Sequence, residues 1–265
     1  MIPLSKATKV VSNKENKGVF EIEALYPGYG VTLGNSLRRV LLSSLEGAAA
    51  TQVKIKGALH EFAALSGVKE DVLGILLNIK QIRFRVFGEG SFSATLKVKG
   101  AKEAKAGDFK TPTQIEVVNK DLVLAHLTDK SAELEVEIEV GKGVGYEAAE
   151  SRKRGKEEIG SISLDAVYTP VRRVSFRVEQ MRVGDRTDFD RLIMEIETDG
   201  TMNPETALKE AAGILVKHFE IVGEGLKTEE TKQAAALKPK TRRTAGAKKP
   251  AGKKPRAKKA AAKKK

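Results

Sequence analysis

An α+β fold with antiparallel sheets is predicted by three features of the 265-residue sequence. Between Glu133 and Val140, Leu134, Val136, Ile138 and Val140 alternate with four glutamates, the period of a strand with one wet face. Parallel strands buried on both faces would read as continuous apolar runs instead. Two segments, 32–45 and 204–222, carry apolar residues at helical spacing, so sheet and helix coexist in one body. The third feature is an abrupt change of composition at residue 238. From Lys238 to Lys265 there are 14 lysines and arginines, three prolines, no acid and no aromatic residue. Of 48 basic and 35 acidic residues in the chain, the body therefore keeps 34 and 35 and is close to neutral, although the whole chain carries +13. The tail cannot bury enough surface to offset its ordering entropy and is expected to be disordered.

Along the body, Phe20, Ile22 and Ala24 alternate with Val19, Glu21 and Glu23, then stop at the turn-forming Tyr26-Pro27-Gly28. After Gly30 the period lengthens: Leu33, Leu37, Val40, Leu41 and Leu45 share one arc of a helix over 32–45, with Thr32 as its expected cap. Arg39 points away from that arc, with Leu42 about 60° from it on the outer side. Strands are expected over 51–62 and 83–98, with a helix over 70–79 between them. Residues 141–160, rich in glycine and mixed charge, read as an exposed loop, and strands resume at 162–167, 174–178 and 192–197. Asn203, Pro204 and Glu205 form a helix-start signal, and Leu208, Ala212, Leu215, Phe219 and Val222 follow at alternating spacings of four and three, with Gly223 as the expected stop. Ala211 and Ile214 widen this stripe beyond one contact, which suggests self-association; burial within the monomer is the alternative.

Several chemistries are absent from the pattern. The chain has no cysteine, so disulfides, thiolate metal sites and cysteine nucleophiles are excluded. No apolar run is long enough to span a membrane and the opening MIPLSKATKV lacks the core of a secretory signal, so a cytoplasmic location is expected. Gly28, Gly30 and Gly34 miss both the dinucleotide and the P-loop spacing and read as a tight turn that lets a helix approach a sheet. His60, His126 and His218 are scattered, and His60-Glu61 reads as surface. Asp185, Asp188 and Asp190 alternate with Arg186 and Arg191, which favours ion pairing in a loop over a metal cluster. No catalytic constellation and no cofactor site is expected in this chain.

Specific strings carry more than these patterns. The segment PGYGVTLGNSLRRVLLSSLEG (27–47) resembles the signature of the N-terminal domain of the bacterial RNA polymerase alpha subunit. LHEF (59–62), GVKEDVLGILLNIK (67–80), GVGY (143–146), LDAVYTPVRRVSFRVE (164–179) and DRTDFDRLIMEIETDGTMNPETAL (185–208) resemble that family's motifs in the same order.

The resemblance implies a discontinuous dimerisation subdomain of residues 1–46 and 170–228, made of a sheet and two helices. A mainly antiparallel β subdomain of 47–169 is inserted into it, and a linker and tail occupy 229–265. It further implies a homodimer that nucleates polymerase assembly, one copy contacting the β subunit and the other mainly β′, with the catalytic metals in those partners. Leu33, Leu37, Leu41, Leu208, Ala212, Leu215, Phe219 and Val222 would line the dimer interface. Arg38, Arg39 and Leu42 would meet β, and Arg182, Arg186 and Asp188 are candidates for β′. Where the family usually carries Glu-Arg-Gly-Phe-Gly, this sequence has Tyr26-Pro27-Gly28-Tyr29-Gly30, so contacts made by that acid and base are not expected here. In place of the family's DNA-reading C-terminal domain stands the basic tail. Arg242, Arg243, Lys248, Lys249, Lys253, Lys254, Arg256, Lys258 and Lys259 would touch nucleic acid without reading sequence, because no aromatic residue is present to stack on bases. If about 8 of these charges met phosphates, log K would fall with a slope of about −7 against log salt. A stand-alone histone-like DNA-binding protein is the alternative that the tail favours and the near-neutral body opposes. A phosphate-binding enzyme resting on Gly28 to Gly34 lacks acid, base and metal partners.

Overall fold

The fold is described from a computed structural model covering residues 3–152 and 160–236, without the side chains of 225–236. The tail residues from Arg242 to Lys259, and 153–159 of the expected loop, lie outside the described residues. Residues 1–220 form one compact unit and Ile221–Lys265 a second. In chain order the elements are β1 (Lys9–Lys14), β2 (Lys17–Leu25), α1 (Tyr29–Ser43), β3 (Glu46–Ile55), α2 (Val72–Ile79), β4 (Phe84–Val86), β5 (Phe92–Lys99), β6 (Glu103–Lys105), β7 (Ile115–Val117) and β8 (Val123–His126). They continue with β9 (Glu133–Val144), β10 (Tyr146–Glu147), β11 (Ser161–Ser163), β12 (Ala166–Val167), β13 (Val171–Val183), β14 (Arg186–Thr198) and α3 (Pro204–Ala236).

In the first unit the chain's start and end share one antiparallel sheet of order β1-β2-β14-β13, where Phe20 stands opposite Met194 and Ile22 opposite Leu192. The middle builds a second antiparallel sheet of order β11-β3-β9-β5 and three two-stranded ribbons. Buried apolar residues fall into two clusters accordingly. Phe20, Leu192, Met194 and Ile196 of the first sheet pack with Leu37, Leu41 and Leu45 from α1 and its end, and with Ala207 and Ala211 of α3. Leu134, Val136, Ile138 and Val140 join Val53, Ile55, Ala94 and Leu96 in the other cluster, with Val72, Ile75, Leu76 and Ile79 from α2. The alternation in 133–140 thus resolves as expected, the glutamates facing Lys56 (3.1 Å to Glu135) and Lys99 (3.0 Å to Glu133) across the wet face. The two clusters meet at a polar junction: Arg85 donates to the carbonyls of Thr201 (3.0 Å) and Gly200 (3.1 Å), and Arg83 lies 3.6 Å from Asp199.

Several boundaries differ from the sequence expectation. Helix α1 begins three residues earlier and ends two earlier, with Thr32 inside it, its hydroxyl donating to the Gly28 carbonyl at 3.2 Å. The strand expected over 51–62 spans Glu46–Ile55 instead, and 56–62 turns away. The first four residues of the expected loop 141–160 are strand, because Gly141 to Val144 pair with the small residues Gly47 to Ala49 and with Glu46. The stop at Gly223 is absent: α3 runs on to Ala236. Asp185, Asp188 and Asp190 belong to a hairpin, the last two within β14.

Helix α2 begins at Val72, two residues later than expected, because Asp71 caps it by accepting from the Gly74 N–H at 2.7 Å. Just before it, Glu70 accepts from the backbone N–H of His126 at 2.7 Å and approaches the His126 ring nitrogen Nδ1 at 2.5 Å. Burial works to raise the Glu70 carboxyl, but these hydrogen bonds outweigh it and hold the group below the ordinary glutamate value of 4.5. A folded-state value below the unfolded one gives stability that is present above pH 4.5 and lost as pH falls through the folded value. Glu70→Gln is therefore expected to flatten the acid limb of a urea-midpoint profile below pH 4.5; an unchanged limb would show that the pair adds nothing.

Candidate functional site

Helix α1 starts under an unusual constraint. Gly28 precedes it at φ 86°, a conformation that L side chains resist, and supplies no capping side chain. The cap comes from 160 residues away. Asp190, only 9% exposed, accepts the backbone N–H of Gly28 (2.9 Å) and of Gly30 (3.0 Å) on one carboxylate oxygen. Its negative charge also suits the positive end of the helix. The helix then lies close on the sheet: a Cβ on Gly34 would stand 2.6 Å from the Phe176 ring. The glycine spacing thus serves close packing, as the sequence indicated. Asp190 itself pairs with neither Arg186 nor Arg191; Arg191 reaches Glu21 (3.2 Å) and Glu179.

With Leu37 and Leu41 buried in the chain's own core and Leu33 half-buried, Arg38 and Arg39 face solvent on the opposite side of α1. Neither makes an ion pair among the described residues. Leu42 is half-buried against the core and less free than the helical wheel indicated, and its carbonyl accepts from the Thr169 hydroxyl at 3.4 Å.

The β13–β14 hairpin carries Arg182, Arg186 and Asp188. Arg186 holds Asp188 through two hydrogen bonds of 3.0 and 2.6 Å, which keep the Asp188 carboxyl below the usual aspartate range. Its guanidinium also lies 5.5 Å from the Tyr26 ring centre and 5.2 Å from that of Phe189, and Tyr26 meets Tyr29 and Phe189 edge-on at 6.2 Å. The tyrosine standing where the family pattern has an acid thus packs against one β′ candidate. Arg182 donates to the Gly184 carbonyl at 2.8 Å.

Helix α3 begins at Asn203 as expected, whose side chain accepts the Glu205 N–H at 3.0 Å. Ala207 and Ala211 seat it on the core, with Leu208, Ile214 and Leu215 half-buried beside them. Ala212 is exposed, so the face toward the core lies one residue from the expected seam. Beyond Leu215 the cover ends: Phe219 is 68% exposed and Val216 is open to solvent. In the second unit Val222 is exposed as well. The described residues therefore do not bury the whole stripe within the chain.

Among the described residues no three His, Cys, Asp or Glu side chains are grouped as metal ligands, and no helix is long and apolar enough to cross a membrane. His60 and His218 are exposed.

Residues 53–169 match the family described as the RNA polymerase Rpb3/RpoA insert domain. The chain is 47% identical over 208 residues to the DNA-directed RNA polymerase subunit alpha of Porphyromonas gingivalis, covering 77% of this chain and 63% of that one. It is 47% identical over 204 residues to the subunit of the same name from Desulforudis audaxviator and 48% identical over 204 to that from Clostridium botulinum, in each case 77% of this chain and 64% of the relative. The chain thus spans a little under two thirds of the length of these relatives. Motifs in family order, the matched insert and this identity along three quarters of the chain agree that it belongs to the family of bacterial DNA-directed RNA polymerase alpha subunits.

Proposed function

We propose that the chain is a homodimeric assembly subunit of RNA polymerase, without an active site of its own, that holds the β and β′ subunits together. Residues 1–46 and 170–228 form the dimerisation subdomain in this reading, and 47–169 the insert; the two separate apolar clusters support that division. The observation that carries the proposal is a pair of unsatisfied surfaces on one buried core. Arg38 and Arg39 have no ion-pair partner among the described residues, and α3 leaves Phe219 and Val216 uncovered by them. An exposed arginine pair next to half-buried Leu42 suits a protein partner, since interfaces are rich in arginine beside apolar anchors. The β′ contact is assigned to the hairpin that presents Arg182, Arg186 and Asp188, and nucleotide addition to the partners and their metals. The basic tail adds affinity for polyanions by charge alone, supported by its 14 positive residues without an acid.

A tagged full-length chain co-expressed with β and β′ is expected to recover both in stoichiometric amounts. Arg39→Ala should lose β while the dimer persists. Full recovery of β by this variant would remove α1 from the contact.

A further inference from the structure

We infer that the β10–β12 ribbon, through Tyr146 and Val167 with Val144 beside them, extends the α1 contact surface as its apolar anchor. It is occupied by the same partner subunit that receives Arg39. The inference rests on the α1 reading above and adds residues that α1 does not contain.

Tyr146 is 64% exposed and stands directly opposite Val167, itself 44% exposed, while Val144 is 52% exposed two residues away. Three large apolar side chains are thus left to water on a two-stranded ribbon, and their neighbours in the chain fix where that ribbon lies. A Cβ on Gly145 would come within 3.4 Å of the Ser43 carbonyl, Tyr168 donates its N–H to the Gly145 carbonyl at 2.9 Å, and Thr169 donates to Leu42 at 3.4 Å. The ribbon is therefore fastened to the last turn of α1, one turn beyond Arg39. Its position is rigid, because Asp165 accepts the Ala149 N–H at 3.0 Å and pairs with Lys80 at 3.2 Å, and Tyr168 holds Glu147 at 3.1 Å.

The chemistry of the occupant follows from what is unsatisfied. Arg38 and Arg39, like Arg172, Arg173 and Arg182 on β13, have no carboxylate among the described residues, whereas Arg83, Arg85, Arg152, Arg177, Arg186 and Arg191 all have one. A partner that brings carboxylates to the two arginines and an aliphatic or aromatic side chain to the ribbon would satisfy both at once. Desolvating the arginine contacts behind an apolar rim is also what makes such anchors strong. A flat charged surface would gain nothing from the ribbon.

The test uses the full-length tagged chain co-expressed with β. Tyr146→Ser and Val167→Asp are each expected to weaken β retention at least tenfold, with dimer mass and thermal midpoint close to the parent. Tyr146→Phe, which keeps the ring and loses only the hydroxyl, should retain β. Val167→Asp serves as the check should Tyr146→Ser prove unstable. Undiminished β retention by a folded Tyr146→Ser or Val167→Asp dimer overturns the inference. Arg39→Ala run alongside separates the two ideas: if it loses β while the ribbon variants keep it, only the ribbon is wrong, and if it too keeps β, the α1 reading falls as well.

Discussion

Replacing Asp190 by alanine is expected to lower stability by about 3 kcal/mol, a large effect for a single polar side chain. The carboxylate is buried and satisfies two backbone donors at the start of α1. Loss of a cap costs about 1 kcal/mol, and a buried donor left without a partner costs roughly 1–3 kcal/mol more. Water reaches Gly28 more easily than buried Gly30, so the cost should concentrate on the second. Urea denaturation gives the total, and amide exchange at Gly28 and Gly30 locates it. Asp190→Asn keeps an acceptor oxygen without the charge and should lose about half as much. Equal exchange at both glycines in parent and alanine variant would mean that the helix start is held by packing alone.

The second large effect concerns association. Phe219→Glu should raise the dimer dissociation constant about thirtyfold or more, equivalent to 2 kcal/mol or above at an interface anchor. The same change should move the protomer's own stability by no more than about 0.5 kcal/mol, because the ring is already exposed in the isolated protomer. Had Phe219 been buried, truncation would have cost roughly 3–5 kcal/mol of folding and the two effects could not be separated. Sedimentation measured together with a denaturation midpoint distinguishes them. A variant that remains dimeric at micromolar concentration would place the two-fold contact elsewhere.

How much of this was legible in the sequence depends on how local the cause is. The glutamate alternation of β9 and the Asn203-Pro204 start of α3 depend on neighbours in the chain, and both appear as read. The α1 boundary was missed because its cap, Asp190, comes from a strand 160 residues later, and no local pattern marks that meeting. The same carboxylate was read as an ion-pair partner of Arg186 or Arg191, since sequence distance stood in for spatial distance. Gly223 was read as a stop, but a glycine ends a helix only where the chain leaves it, and the good helix formers after it carry α3 onward. The strand over 141–144 was hidden by glycines that signal turns in isolation yet fit well opposite Gly47, Ala48 and Ala49. Of the candidate surface, Arg39 was visible as a residue opposed to an apolar arc. The Tyr26–Arg186–Phe189 stack was not, because it joins a turn to a hairpin through space.

The outer strands of the first sheet, β1 and β13, are both left without a neighbour on one side, which in most proteins invites the same strand of another molecule to add on. Lys14 stands on one of these borders and Arg172 and Arg173 on the other, all exposed and without an ion-pair partner among the described residues. Two such borders approaching each other would bring like charges together. Strand-to-strand growth into open-ended fibres is thereby disfavoured, and a closed pair joined through helices remains the easier way for two molecules to meet.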